Sequence, residues 1–284
     1  MFPGNALRGL LLACVVPVAC GGITKRSEGG KMKLVRIDWK GNPRWGIVEE
    51  DAVFSLEGDV YGDFTRGARL CEFSDAVLLA PAEPGTIVAC GLNYMETVEQ
   101  LQVEIPAEPA LFFKPSSAVV DPGEAAYTLP LANDTRYEAE LCAVMKRRAW
   151  RVSEAEALDY VLGFTCGNDM TLWDLIVTDG RLTRAKGYYK SAPLGPVLVT
   201  DLNPNAVRIQ GRVNGETKQD GNTSSQIFNT AKIISHVSAF MPLMPGDVVF
   251  TGTPKGGHCP VMVGDVVEVE IDGIGVLKNE IVMG

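Results

Sequence analysis

A chain of 284 residues is long enough for one large domain, or a large and a small one, and 46% hydrophobic with 21% charged residues is the balance of a folded globular protein. The 26 basic residues against 35 acidic ones leave a formal charge of −9, which opposes binding to a phosphate backbone and argues against a nucleic-acid partner. Seven cysteines without a C-x-x-C pair read as reduced, mostly buried thiols, and only two histidines, His236 and His258, exclude a multi-histidine zinc or iron centre, so any metal must sit on oxygen.

Residues 9 to 22 form a short apolar run behind Arg8 that is similar to the apolar core of a secretory signal and too short to cross a bilayer. Pro17 within it and the odd thiol count weigh against export. Residues 1 to 31 are therefore expected to be a leader or a misplaced start outside the fold, with Met32 opening a cytoplasmic protein that has no membrane partner; export is the alternative. From Lys33 to about Leu79, short apolar segments broken by Gly, Asp and Pro predict a small β-rich unit over 32–80, with a first turn at Gly41-Asn42-Pro43. Pro81 to Pro84 reads as a linker, and Ile87 to Cys90 as a strand running into Gly91-Leu-Asn-Tyr94. A strand is expected over Tyr137 to Met145 and another over Val161 to Cys166. Ser153 to Glu156 is a capping box that predicts a helix, and Ile227, Phe228, Ala231, Ile234 and Val237 recur at helical spacing, which leaves His236 off the apolar stripe and solvated. Asn214-Gly215 and Asp272-Gly273 mark hairpins, so the fold class is α+β and mostly β.

The segment Tyr137-Glu-Ala-Glu-Leu-Cys-Ala-Val-Met145 carries the chemistry. Strand side chains alternate, so Glu138 and Glu140 share a face about 7 Å apart. Buried together they would be driven to protonation unless a cation joined them; on an exposed face they would simply meet water. Asp169, in Gly167-Asn-Asp-Met-Thr171 at the end of an apolar strand, supplies a third carboxylate.

Eight motifs in fixed order then make the sequence recognisable. G-L-N-Y (Gly91 to Tyr94), F-x-K-P ending at Pro115, Y-E-A-E-L (137–141), N-D-x-T (168–171), K-x6-P-L-G-P (186–196), V-N-G-E (213–216), Q-D-x-N-T-S (219–224) and P-G-D-V-x-x-T-G-T-P-x-G (245–256) resemble the fumarylacetoacetate hydrolase family over residues 33 to 284. The resemblance implies a mixed β-roll catalytic domain over 85–284, usually a homodimer, that binds Mg²⁺ or Mn²⁺ through Glu138, Glu140 and Asp169. It implies small-molecule substrates, 2-oxo acids and β-diketo compounds, whose enolate the metal stabilises. Lys186 matches the family's lysine near the metal and Thr253 its substrate-holding threonine, with Tyr94, Trp173 and Tyr188 placed at the substrate. For Lys186 the alternative is a surface lysine, and for Thr253 a turn position imposed by Gly252 and Pro254.

The sequence also departs from the family. Hydrolytic members usually read G-x-N-Y-x-x-H-x-x-E, whose histidine and glutamate activate water; here Thr97 and Gln100 stand at those positions. Leu172-Trp173 stands where relatives often carry Ala-Arg, and Tyr188-Tyr189-Lys-Ser-Ala192 where they often carry a Phe-Asp-Thr-Phe-Cys type run. Trp173, Tyr188 and Tyr189 suggest a larger or less charged substrate, or else packing in the core or a dimer interface. Three readings follow in order: an enolate-forming lyase, decarboxylase, tautomerase, isomerase or cyclase that needs no activated water; a C–C hydrolase with a substitute base among Glu96, Glu99 and His258; and a non-catalytic metal-binding protein. His258 follows a Gly256-Gly257 hinge that could close it over substrate, and its alternative is an exposed loop residue.

Overall fold

The computed structural model describes residues 30–284, so the leader expected at the amino terminus lies, up to residue 29, outside the described residues. The first unit is an antiparallel meander of β1 (Lys33–Trp39), β2 (Asn42–Glu49), β3 (Ala52–Gly58) and β4 (Phe64–Glu72), with β5 (Val77–Leu79) returning along β1. The first turn is Lys40-Gly41, both at positive φ (55° and 80°), and not 41–43 as expected: a two-residue turn needs left-handed geometry at both positions, and Pro43 already pairs with Asp38. The connection at 81–84 is packed, not loose. Ala80 and Ala82 are buried, the Ala80 N–H donates to Asp121 Oδ1 (2.6 Å), and Arg36 holds Glu83 (2.5 Å).

After β6 (Ile87–Gly91) come α1 (Met95–Leu101), β7 (Ala110–Lys114), β8 (Val119–Val120), β9 (Ala126–Thr128), β10 (Thr135–Tyr137) and β11 (Ala139–Met145). Then follow β12 (Val161–Asn168), β13 (Thr171–Leu172), α2 (Trp173–Asp179), α3 (Thr183–Lys186) and β14 (Ala192–Val199). The chain ends through β15 (Arg208–Val213), β16 (Glu216–Asn222), α4 (Thr230–Ser238), β17 (Val248–Phe250), β18 (Cys259–Val261), β19 (Val266–Ile271) and β20 (Gly275–Met283). One large sheet runs in the order β4-β3-β2-β1-β14-β12-β11-β17-β6-β7, so the amino-terminal meander and the rest share a single ladder joined at β1 and β14. A five-stranded sheet, β16-β15-β19-β20-β9, lies against it, and β13-β10-β18 form a small third sheet. The protein is thus mostly β, with an amino-terminal β-rich domain, as the pattern predicted. Among the described residues no helix is long and apolar enough to cross a membrane.

Strand β11 is buried along its whole length because both faces pack. Leu141, Ala143 and Met145 join Ile209, Val267, Val269 and Ile281 of the five-stranded sheet, whereas Cys142 and Val144 face Leu194, Val248 and Phe250. Both predicted hairpins form, Asn214-Gly215 joining β15 to β16 and residues 272–274 joining β19 to β20. The predicted helix at 227–237 is α4, which starts at Thr230 because the Asn229 side chain accepts the Lys232 N–H (2.8 Å).

Three expectations change. The capping box does not open an α-helix: Ser153 Oγ donates to Glu156 Oε2 (2.5 Å), but only a 3₁₀ turn over Ala157–Tyr160 follows before the chain enters β12. The predicted strand 137–145 is broken at Glu138, whose N–H donates to the Asn168 side chain (3.1 Å) rather than to a strand partner. Helices α1, α2 and α3 were not foreseen, since their few buried positions give no helical period.

Opposite Glu140, Gly167 leaves room for no side chain: a Cβ there would overlap Cys142 Sγ and lie 2.6 Å from Phe250 Cε1. Gly167→Ala is expected to cost about 1–3 kcal/mol of stability by overpacking. Urea denaturation measures it, and a loss below the error of the method would show that this sheet face yields.

Candidate active site

The start of β11, the end of β12 and the end of α3 meet at three carboxylates. Glu138, Glu140 and Asp169 are buried, and each places an oxygen within 4.8 Å of the others. The alternative of an exposed sheet face is thereby set aside. The break at Glu138 helps this convergence, because Asn168 ties its backbone while the Asp169 N–H donates to the Glu138 carbonyl (2.9 Å).

Two buried ammonium groups bracket the carboxylates. Lys186 is not a surface lysine: its Nζ lies 2.7 Å from Glu138 Oε1 and 2.6 Å from Asp169 Oδ2. Lys114 Nζ lies 2.7 Å from Asp169 Oδ1 and donates to the Lys186 carbonyl (2.5 Å). Lys114 escaped the sequence reading although the F-x-K-P motif contains it, because a lysine at a strand end normally reads as a solvated terminus.

The charges do not balance. Burial pushes Glu138 up, but the Lys186 ammonium and His258 more than reverse this and hold it well below the usual carboxylate range. Glu140 has no ion pair of its own: burial, then Asp169 and Glu138, raise it well above the usual range, and Lys186 and the Gly252 N–H that donates to its Oε2 (2.6 Å) offset only part. Burial would lower Lys186, yet Asp169 and Glu138 raise it; at Lys114 burial prevails and lowers it despite Asp169. The two ammonium groups sit against Glu138 and Asp169, so Glu140 is the carboxyl of the three left without a cation in contact. An all-oxygen, buried and under-neutralised donor set fits a hard divalent cation.

The loop after β17 closes one side. His258 is pinned, not hinged, since its N–H donates to the Tyr137 carbonyl (3.0 Å) and β18 begins at the next residue. Its φ of 62° turns the ring inward, where Nδ1 lies 3.0 Å from Glu138 Oε1 and the ring packs on Trp173 (centroids 4.9 Å apart). Only 13% of the side chain is exposed, so it is no open loop residue. Trp173 carries the Arg136 guanidinium on its ring, 4.2 Å from the centroid.

The remaining candidates divide. Tyr188 is buried within reach of the carboxylates' field. Tyr189 instead faces outward against Tyr127, so the structure does not bring it to the pocket. Tyr94 is fully buried and accepts from Gln226 Nε2 (3.2 Å). The Thr253 hydroxyl donates to the Ala139 carbonyl (3.0 Å) and accepts from Gln219 Nε2 (2.7 Å), and so ties the site's two edges together. Gln219 was not singled out as a site residue, but it clamps β11, Thr253 and Pro254 at once. On α1, Thr97 is buried and its hydroxyl donates to the Thr253 carbonyl (2.9 Å), Glu99 and Gln100 are exposed, and Glu96 is half-buried. His236 lies half-buried against Phe240, away from the carboxylates. Five thiols lie within the described residues, Cys90, Cys142 and Cys166 buried and Cys71 and Cys259 half-buried, none of them paired.

Comparison with known proteins agrees with this architecture. The family model for the fumarylacetoacetate (FAA) hydrolase C-terminal domain matches residues 86–282, and that for the Rv2993c-like N-terminal domain matches residues 32–81. An uncharacterized protein of Archaeoglobus fulgidus is 44% identical over 201 residues, covering 71% of this chain and 80% of its own. The human mitochondrial oxaloacetate tautomerase FAHD2A is 34% identical over 221 residues, covering 74% of this chain and 70% of its own. The crystal structure of 2-hydroxyhepta-2,4-diene-1,7-dioate isomerase from Mycobacterium marinum superimposes with a TM-score of 0.83 at 34% identity, covering 89% of this chain and 98% of that one.

Proposed function

The chain belongs to the fumarylacetoacetate hydrolase family, and from that premise we propose that it is a divalent-metal-dependent isomerase of enolisable 2-oxo acids, interconverting keto and enol forms. The observation that carries this reading is the fate of the water-activating positions. Thr97 spends its hydroxyl on the Thr253 carbonyl and Gln100 faces solvent, so α1 offers no base at either position. Proton transfer within one substrate needs no activated water. Tautomerase and isomerase relatives support the same choice.

Glu138, Glu140 and Asp169 are the residues that would hold Mg²⁺ or Mn²⁺, which supplies Lewis-acid stabilisation of the negative oxygen of an enolate. The residues then have defined tasks. His258, whose ring lies 3.0 Å from Glu138 and packs on Trp173, takes the proton from C3; the C3–H pair becomes the C2=C3 bond, and the C2 oxygen receives a proton. Lys186, charged and fixed by two carboxylates, is the donor of that proton and takes it back when the reaction reverses. Arg136 and Trp173 hold the His258 ring in place.

The test follows the decay of enol oxaloacetate by ultraviolet absorbance. With Mg²⁺ or Mn²⁺ present, the protein is expected to accelerate it without releasing carbon dioxide, chelator is expected to stop it, and His258→Asn to slow it about 10²–10⁴-fold. A second reading, C–C hydrolysis, is favoured by the His258–Glu138 approach of 3.0 Å, which rebuilds a histidine–carboxylate pair elsewhere in the site. Acylpyruvate cleavage that outpaces tautomerisation would replace the first reading by the second.

A further inference from the structure

Building on that reading of the site as one for 2-oxo acids, we propose that the Tyr188 hydroxyl is a specificity-determining donor that holds an anionic oxygen of the bound acid. Tyr188 is 7% exposed, and its hydroxyl is buried without a hydrogen-bond partner among the described residues. A buried phenol normally finds a partner, so one left without is placed for an acceptor that arrives with the ligand.

Its surroundings say what kind. The charged groups that bear on the hydroxyl are Asp169 and Glu138, and Lys114 Nζ stands 6.0 Å from the ring centroid. Because that same Nζ lies 2.7 Å from Asp169 Oδ1, the ring stands beside the buried site of the three carboxylates. Lys114 spends its ammonium on Asp169 and two backbone carbonyls and Lys186 is assigned to the C2 oxygen, whereas the phenol hydroxyl has no task yet. The backbone that carries the ring is also fixed. Ser191 Oγ donates to the Tyr188 carbonyl (2.7 Å), and Lys114 Nζ anchors the turn two residues earlier at the Lys186 carbonyl. An unsatisfied hydroxyl is not sufficient by itself: the Tyr137 hydroxyl also lacks a partner, but it packs over Gly211 of the five-stranded sheet. Tyr188 combines the unspent donor with a location beside the reacting groups. A hydroxyl at this position favours substrates that present a carboxylate or enolate oxygen to it over those that present carbon, because the latter would bury it unpaired.

The experiment uses oxalate, a planar dianion that mimics an enolised 2-oxo acid, titrated calorimetrically into the Mg²⁺-loaded full-length protein and its Tyr188→Phe variant. The variant is expected to bind oxalate about 10- to 100-fold more weakly, with kcat/KM for enol oxaloacetate falling in parallel. Its Mn²⁺ affinity is expected to be unchanged, and its melting temperature unchanged or raised, since no internal bond is removed. Equal oxalate affinity in the two proteins would overturn the assignment, as would a fall in melting temperature and Mn²⁺ affinity together, which would make the hydroxyl structural. If the wild type binds oxalate but tautomerises no 2-oxo acid, the proposed reaction fails and this assignment stands. If it binds no oxalate, this assignment fails too.

Discussion

Replacing Lys186 with methionine is expected to destabilise the chelator-treated protein by about 3–5 kcal/mol, the range for removing one partner of a buried ion pair. The ammonium sits between Glu138 Oε1 and Asp169 Oδ2, and all three side chains are at most 5% exposed. Methionine keeps the length of the stem and removes the charge, so the loss reads electrostatics rather than a cavity. Asp169 then keeps Lys114 as its one lysine, and Glu138 keeps only His258 and the Thr171 hydroxyl. Added Mg²⁺ or Mn²⁺ should restore part of the loss, because a ligand that binds the folded state adds stability by mass action. Urea denaturation with and without metal measures both quantities. A loss below about 1 kcal/mol, or one that metal leaves untouched, would mean that the lysine and the carboxylates are not electrostatically coupled. Turnover should fall about 10²–10³-fold, as for other donors aimed at a developing oxyanion.

Glu140→Gln should act with opposite signs in the two states. The folded-state carboxyl titrates well above its unfolded value, driven by burial and by its two acidic neighbours. A carboxyl shifted upward binds its proton more tightly when folded, so it costs nothing below the unfolded pKa and erodes stability as pH rises from there through the folded value. In chelator at pH 8 the glutamine variant escapes that loss and should melt higher than wild type, while its amide oxygen still accepts the Gly252 N–H. At pH 4 the two should melt alike. With Mn²⁺ the order reverses, since the variant lacks one anionic ligand and should bind the ion at least about 100-fold more weakly. Melting curves at the two pH values and a calorimetric Mn²⁺ titration check each sign. A variant that melts lower than wild type in chelator at pH 8 would make Glu140 an acceptor for Gly252 and nothing more.

Much of this site is legible in the sequence because its residues obey simple periods. Glu138 and Glu140 stand two apart in an apolar context, and Asp169 ends the neighbouring strand, so antiparallel pairing of Ala139 with Asn168 brings the three together. What the alternation could not reveal is that Glu138 escapes the strand: Asn168 takes its N–H through a side chain, an interaction between positions 30 residues apart. Lys114 was hidden for a related reason, because burial of a lysine is decided by Asp169 and the Lys186 carbonyl, both distant in the chain. His258 depends on the same kind of information. Nothing local announces that its N–H meets the Tyr137 carbonyl and turns an otherwise ordinary glycine-rich loop into one wall of the site. The capping box at 153–156 shows the converse, a correct local signal whose continuation was overridden when the chain was drawn into β12.

The junction between β1 and β14 has a consequence for how the protein can be cut. Lys33 and Leu34 pair with Val199 and Leu198, at the far end of a strand with no exposed residue along its length. A shortened chain that began near residue 85 would leave those backbone groups and their apolar side chains on a bare sheet margin. Such a margin recruits strands from other molecules. The amino-terminal meander thus shields the catalytic half against self-association, and its removal would be felt first in solubility, before any effect on chemistry.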